Sequence, residues 1–67
     1  MELRHLKHFL VLAKIKNFNR AANQLNLAQP SLSRSIKKME ELLGVTLLER
    51  GANHMSLTSY GKLVLEH

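Results

Sequence analysis

The stretch NFNRAANQLNLAQPSLSRSI, residues 17–36, decides the fold of this 67-residue chain. Asn17 is a residue type that caps helix N-termini well, because its side-chain oxygen accepts a hydrogen bond from an unpaired amide. Apolar residues then recur at the three- and four-residue spacing of one helix face: Phe18, Ala21, Ala22 and Leu25. The pattern predicts a short second helix that ends near Leu25.

A tight turn and a third helix follow within the same stretch. Asn26 tolerates a positive φ better than most residues, so residues 25–27 are typical of a tight turn whose two leucines point inward. Pro30 suits a first helical turn, where its missing N–H would be unpaired anyway. We therefore expect the third helix to begin at Gln29 or Pro30 and to stop at Gly44.

The third helix has an apolar side and a polar, mostly basic side. Its inward side is predicted to consist of Leu32, Ile36, Met39 and Leu43. Its solvent-facing side is predicted to consist of Ser33, Arg34, Lys37, Lys38 and Glu41. The small side chains of Ala21 and Ala22 let the second helix approach the third closely.

A first helix is predicted upstream, over residues 2–15. Its apolar stripe is expected to consist of Leu3, Leu6, Leu10 and Ala13, with Phe9 and Val11 beside it. Three helices in this order predict an all-helical core around a helix-turn-helix at residues 18–37.

After Gly44 the apolar period changes to alternation. Residues 45–57, with a Gly and Asn turn at 51–54, predict a short β-hairpin. Thr58 is a good N-cap for a fourth helix over residues 59–66, whose apolar side carries Leu63 and Val64. The sequence allows Tyr60 either to pack the fourth helix against the helical core or to lie exposed to solvent. The last three residues, 65–67, fit either natural sequence or the start of a vector-encoded Leu-Glu-His tag.

The composition restricts the kind of function. Ten Lys and Arg against five Asp and Glu give a formal net charge of +5 and a pI of about 10.1, which favours a polyanionic partner. No apolar run approaches the ~20 residues of a membrane span and Trp is absent, so nucleic acid is favoured over a membrane. The absence of Cys excludes disulfides, thiolate metal sites and Cys nucleophiles, and it fits a cytoplasmic protein. So short a chain rarely builds a catalytic pocket, and we expect neither an enzyme nor a cofactor.

Three helices followed by a hairpin predict a mainly α fold, a winged helix-turn-helix, whose third helix enters a DNA major groove. Arg34 is suited to pair with guanine O6 and N7, Gln29 to pair with adenine N6 and N7, and the Pro30 ring to contact a thymine methyl. Lys37 and Lys38 lie farther along the helix, where phosphates are the expected partners.

Several segments, in this order, resemble the DNA-binding domain of LysR-type transcriptional regulators. They are residues 17–22, 25, 28–36, 39–40, 43–44, 47–50 and 57–58. The resemblance implies a bacterial DNA-binding domain at residues 1–58 and the start of a dimerisation linker helix at 59–67. It implies a homodimer or dimer of dimers in the full-length regulator, and an effector bound only by a separate C-terminal domain. Since isolated helices shorter than ~12–15 residues are marginal, we expect a weak dimer or none from this chain.

The resemblance also assigns contacts residue by residue. It implies base contacts from Gln29, Pro30 and Arg34, and wing contacts from Arg50, Asn53 and His54. It places Ser33 and Lys37 near phosphates, and we expect further DNA backbone contacts from Asn19, Ser31 and Lys38. Three surface positions depart from the family pattern: Ala28 stands for a common Ser, Asn19 for Thr and Ser35 for Gln. In the core, Met39 and Leu48 replace Leu and Phe.

Two other function classes are compatible with the pattern. A winged helix can be a protein-interaction module. Such a module would bind its partner protein with little dependence on salt and would give no footprint on DNA. A non-specific nucleic-acid-binding protein is the other, although two Phe and one Tyr are few for stacking on single strands or RNA. His5 and His8 lack a third ligand, and no Ser has an evident base and orienting acid, so we expect no metal site and no catalytic residue.

Overall fold

The computed structural model describes residues 2–50 and 55–66. The chain folds as three helices, a two-stranded antiparallel hairpin and a fourth helix, which confirms the predicted architecture. The elements are α1 (Leu3–Ile15), α2 (Phe18–Gln24), α3 (Gln29–Leu43), β1 (Leu48–Arg50), β2 (Met55–Leu57) and α4 (Ser59–Glu66).

Local capping explains why α2 begins and ends where the sequence predicts. The Asn17 side-chain oxygen accepts a hydrogen bond from the Arg20 amide at 3.0 Å. Asn26 adopts the left-handed conformation at φ 57°, which turns the chain toward α3. The Leu27 amide then donates to the Ala22 carbonyl at 2.8 Å. This turn fixes α3 relative to α2.

The core lies among α1, α2 and α3 and is closed by the hairpin. Its largest fully buried side chains are Phe9, Leu12, Leu32, Ile36, Met39 and Leu47. Ala21 and Ala22 are also buried, as expected for a close approach of α2. Leu25 and Leu27 pack against this core from the turn, so both leucines point inward.

Three predicted apolar faces need correction. On α1, Leu3 is 81% exposed and Leu10 is 38% exposed, whereas Leu12 is buried. The helix carries more apolar residues than one face can bury, and Leu3 and Leu10, seven residues apart, share a flank rather than the core face. Leu43, at the last turn of α3, is 41% exposed, and Leu63 on α4 is 54% exposed. Of the predicted α4 pair, Val64 packs against the core.

The hairpin forms the wing, which we define as β1, β2 and the residues that join them. Leu48 pairs with Leu57 and Arg50 with Met55 in antiparallel register. The predicted turn at 51–54 lies outside the described residues. Thr58 caps α4 as predicted, since its hydroxyl accepts from the Gly61 amide at 3.1 Å. Gly61 is buried against the Leu47 carbonyl, with no room for a Cβ, so glycine is required there by close approach.

Candidate nucleic-acid interface

The first turns of α3 carry the predicted base-contact residues on an accessible surface. Pro30 and Arg34 are exposed and lie four residues apart, on one helix face. Gln29 is the first residue of α3 and is half-buried. The structure therefore brings these three side chains together at one end of one helix.

The N-terminus of α3 is electrostatically suited to an anion. Its first turn contains no acidic side chain, and Pro30 removes one amide that would otherwise lack a partner. Ala28, at the N-cap position, forms no side-chain cap bond, while its carbonyl accepts from the Ser31 and Leu32 amides at 3.0 and 3.2 Å. The helix dipole places partial positive charge at this end, where phosphate oxygens are stabilised.

The predicted backbone-contact residues extend along both flanks of α3. Lys37 and Lys38 are exposed, and in the described part of the chain Lys37 forms no ion pair with Glu41. Ser31 is half-buried, and so is Ser33, which was predicted on the solvent-facing side of α3. Asn19, also exposed, lies in the first turn of α2.

The wing residues are only partly within the described chain. Arg50 is the last residue of β1 and pairs with Met55. Asn53 and His54 lie outside the described residues.

Glu40 connects α3 to the wing, a role that the sequence did not indicate. Its Oε2 accepts hydrogen bonds from the Leu47 amide at 2.7 Å and the Leu48 amide at 3.3 Å. Both leucines are buried, so these amides depend on a protein acceptor. The carboxylate therefore fixes the start of β1 against α3. Glu40 lies between Met39 and a second glutamate, Glu41, and nothing in this local sequence signals the contact.

Ser35 also has a different place from the one predicted. It was assigned to the surface, but it is 9% exposed, and its hydroxyl lies 2.8 Å from Nδ1 of His8 on α1. Burial lowers the pKa of His8 below its usual 6.5, and electrostatic interaction with the neighbouring His5, Arg4 and Lys7 lowers it further. The His8–Ser35 hydrogen bond joins α1 to α3 as a neutral contact.

Other kinds of site receive no support from the described residues. No group of three or more His, Asp or Glu side chains in residues 2–50 and 55–66 is arranged to hold a metal ion. Within the same ranges, no helix has the length and apolarity needed to cross a membrane. Tyr60 lies exposed on α4.

Comparison with known proteins identifies relatives over nearly the whole chain. Residues 3–62 match the family model for bacterial regulatory helix-turn-helix proteins of the lysR family. The SDS degradation transcriptional activation protein of Pseudomonas sp. (strain ATCC 19151) is 54% identical over 66 residues, which are 98% of this chain and 22% of that protein. The HTH-type transcriptional regulator AlsR of Bacillus subtilis (strain 168) is 48% identical over 67 residues, 100% of this chain and 22% of that protein.

Solved structures with DNA show the same fold. The DNA-binding domain of BenM bound to the catB site 1 DNA aligns with a TM-score of 0.93 at 44% identity, covering 98% of this chain and 73% of that chain. The complex of the CbnR DNA-binding domain with DNA aligns with a TM-score of 0.94 at 41% identity, covering 98% and 76%.

The matched relatives are named as transcriptional regulators rather than enzymes. The chain spans about a fifth of the length of these curated relatives, since it covers 22% of each. The family match covers most of the chain, and the helix-turn-helix that its description names is observed here. The chain belongs to the lysR family of bacterial regulatory helix-turn-helix proteins.

Proposed function

We propose that this chain is the DNA-binding domain of a bacterial LysR-type transcription regulator and that it binds double-stranded DNA sequence-specifically. The observation that carries the proposal is the exposed, basic, carboxylate-free start of α3, held outward from the core by the Asn26 turn. The similarity to BenM and CbnR domains in complex with DNA supports the same reading of this surface. A recognition helix of this kind places its N-terminal residues against base edges.

We assign base contacts to the three side chains at the start of α3. Arg34 is exposed and presents two parallel donors, which match O6 and N7 of guanine. Gln29 is assigned to adenine and Pro30 to a thymine methyl group. Because these contacts depend on the base, they supply the sequence preference.

The remaining contacts position the domain without reading sequence. Backbone contacts are assigned to Asn19, Ser31, Ser33, Lys37 and Lys38. The wing is assigned to the adjacent backbone or minor groove through Arg50, Asn53 and His54. Neutralising several phosphates in this way makes affinity fall steeply with salt.

The full-length regulator is proposed to act as a homodimer or dimer of dimers in the bacterial cytoplasm, where the chromosome lies. In it, a small-molecule effector would bind a further domain and not this one. No catalytic step or cofactor is required of the chain for this function.

Fluorescence anisotropy tests the class of partner directly. An AT-rich inverted-repeat duplex, a scrambled duplex and a structured RNA are titrated with the chain at several salt concentrations. We expect the inverted repeat to bind best, by tenfold or more, which corresponds to about 1.4 kcal/mol. Equal binding of all three would favour a non-specific nucleic-acid-binding protein, and no binding to any would favour a protein-interaction module.

A further inference from the structure

A hollow of about 290 Å³, here called the α1–α3 cleft, lies between the start of α1 and the flank of α3. Its lining includes Arg4, His5 and His8 from α1, and Ser31, Arg34 and Lys38 from α3. None of the described side chains that line it is a carboxylate. The cleft thus gathers three cations and two imidazole rings beside the helix proposed to read DNA.

The groups in the cleft act on one another as a positively charged cluster. Burial is the largest cause of the lowered pKa of His8, and the neighbouring His5, Arg4 and Lys7 lower it further. Nδ1 of His5 is buried and has no hydrogen-bond partner among the described residues. Arg4 is held by Glu2, with Nη2 and Oε2 at 3.0 Å, but both side chains are well exposed and the pair is open to competition by a stronger anion. An anion with several acceptor oxygens fits this set of donors.

The position of the cleft on α3 indicates where such an anion would come from. A second hollow, lined by Ser33, Lys37, Glu40 and Leu48 among others, lies on the flank that faces the wing. A helix with its side chains is about 10–12 Å wide and the major groove is about 12 Å wide, so phosphates of both strands approach the two flanks of an inserted helix. Arg34 lines the α1–α3 cleft and is also a proposed base contact, which makes the cleft continuous with the reading surface.

We propose that the α1–α3 cleft binds one phosphodiester of the DNA strand on that flank, with Arg4 and Lys38 supplying charge and the His5 ring an N–H. The inference rests on the proposed function, because the duplex is the source of the phosphate. It adds α1 to the DNA-binding surface. Ser31, at the edge of the cleft, is placed to donate its hydroxyl to the same phosphate.

The test is a scan in which one phosphate at a time in the inverted-repeat duplex is replaced by a neutral methylphosphonate. We expect one position in each half-site where replacement weakens wild-type binding at least threefold but leaves the Arg4→Gln/Lys38→Gln variant unchanged. The control variant Lys14→Gln/Lys62→Gln loses the same charge from exposed residues that do not line the cleft. Its binding should still weaken at least threefold when that phosphate is replaced. Circular dichroism confirms that each variant is folded.

The proposal is wrong if, at every position, methylphosphonate replacement weakens the binding of wild type and of the Arg4→Gln/Lys38→Gln variant by the same factor. That result would leave the preference of the wild type for the inverted repeat unchanged. Failure of the wild type to bind any duplex would instead reject the proposed function. In that case NMR titration with inorganic phosphate examines the cleft alone. Shifts of the His5 and His8 ring signals would reassign the cleft to a free anion, and an absence of shifts would remove the site; either result overturns binding of a DNA phosphate.

Discussion

Ala28 occupies the N-cap position of α3, where its methyl side chain accepts no hydrogen bond. A Ser hydroxyl there could accept from the Ser31 amide, which otherwise donates only to the Ala28 carbonyl at 3.0 Å; Pro30, the other position within reach of a cap, has no N–H. Because that amide already has an acceptor, we expect Ala28→Ser to raise the free energy of unfolding by only about 0.5 kcal/mol, the low end for a cap, which is roughly 2–4 °C in Tm for a domain of this size. Thermal unfolding followed by circular dichroism measures this. Ala28→Val, which adds volume but no acceptor, is the control, and an equal gain from it would contradict the capping explanation.

His8 makes stability depend on pH. Since its pKa is lowered in the folded chain, the unfolded chain takes up more protons below about pH 6.5. Above that pH, the titration of His8 does not affect the free energy of unfolding. As the pH falls through 6.5 toward the folded pKa of His8, the free energy of unfolding decreases progressively. We expect His8→Asn to reduce the loss of stability between pH 7.5 and pH 5, measured by urea unfolding. A ring titration of His8 by NMR with a midpoint at or above 6.5 would contradict the expectation.

Residue types that act locally were predictable from the sequence, whereas contacts across the fold were not. Asn17, Asn26 and Thr58 cap or turn the chain within a few residues of themselves, so their roles follow from neighbouring sequence. His8 and Ser35 are 27 residues apart, and their hydrogen bond exists only because α1 packs against α3. Helical spacing does place Ser35 on the buried face of α3, three residues after Leu32 and four before Met39, but no local pattern identifies His8 as its partner.

At the scale of elements, the attachment of the wing to α3 depends on Glu40. Removing its carboxylate leaves the Leu47 and Leu48 amides without their acceptor, at about 1–3 kcal/mol for each buried group. We expect Glu40→Gln to cost about 1 kcal/mol, because a neutral oxygen is a weaker acceptor, and Glu40→Ala to cost more.

Denaturant unfolding of these variants separates the effect from a general loss of negative charge. Glu41→Ala removes the adjacent exposed carboxylate, and its stability should stay within about 0.5 kcal/mol of the wild type. Equal stability of the Glu40→Ala and Glu41→Ala variants would show that Glu40 does not hold the wing.

The limits of helices were more predictable than their buried faces. Helix α3 begins at Gln29 and is capped by Gly44 at φ 72°, as Pro30 and Gly44 indicated. By contrast, apolar residues occur around much of α1, and which of them is buried depends on where α2 and α3 pack. That is why Leu3 was assigned to the core although it is exposed.

At the scale of the whole molecule, the exposed apolar surface of α4 is too small for a stable dimer by itself. Its eight residues span about 12 Å, with Tyr60, Leu63 and Leu65 exposed. A standard interface buries about 800 Å² per partner, a large share of the chain's 4712 Å² of accessible surface. We expect sedimentation velocity at micromolar concentration to show a monomer. A dimer that persists on dilution would contradict this.

The net charge and the geometry of α3 together define the central claim, that this domain recognises DNA sequence through Arg34 rather than by charge alone. The most direct measurement is the Kd for a scrambled duplex divided by the Kd for an inverted-repeat duplex selected by the chain, at one salt concentration. It is made for wild type, for Arg34→Ala and for the charge-matched control Lys62→Ala. We expect a ratio of tenfold or more for wild type and Lys62→Ala, and a ratio near one for Arg34→Ala. A ratio for Arg34→Ala as large as that of wild type would contradict the claim.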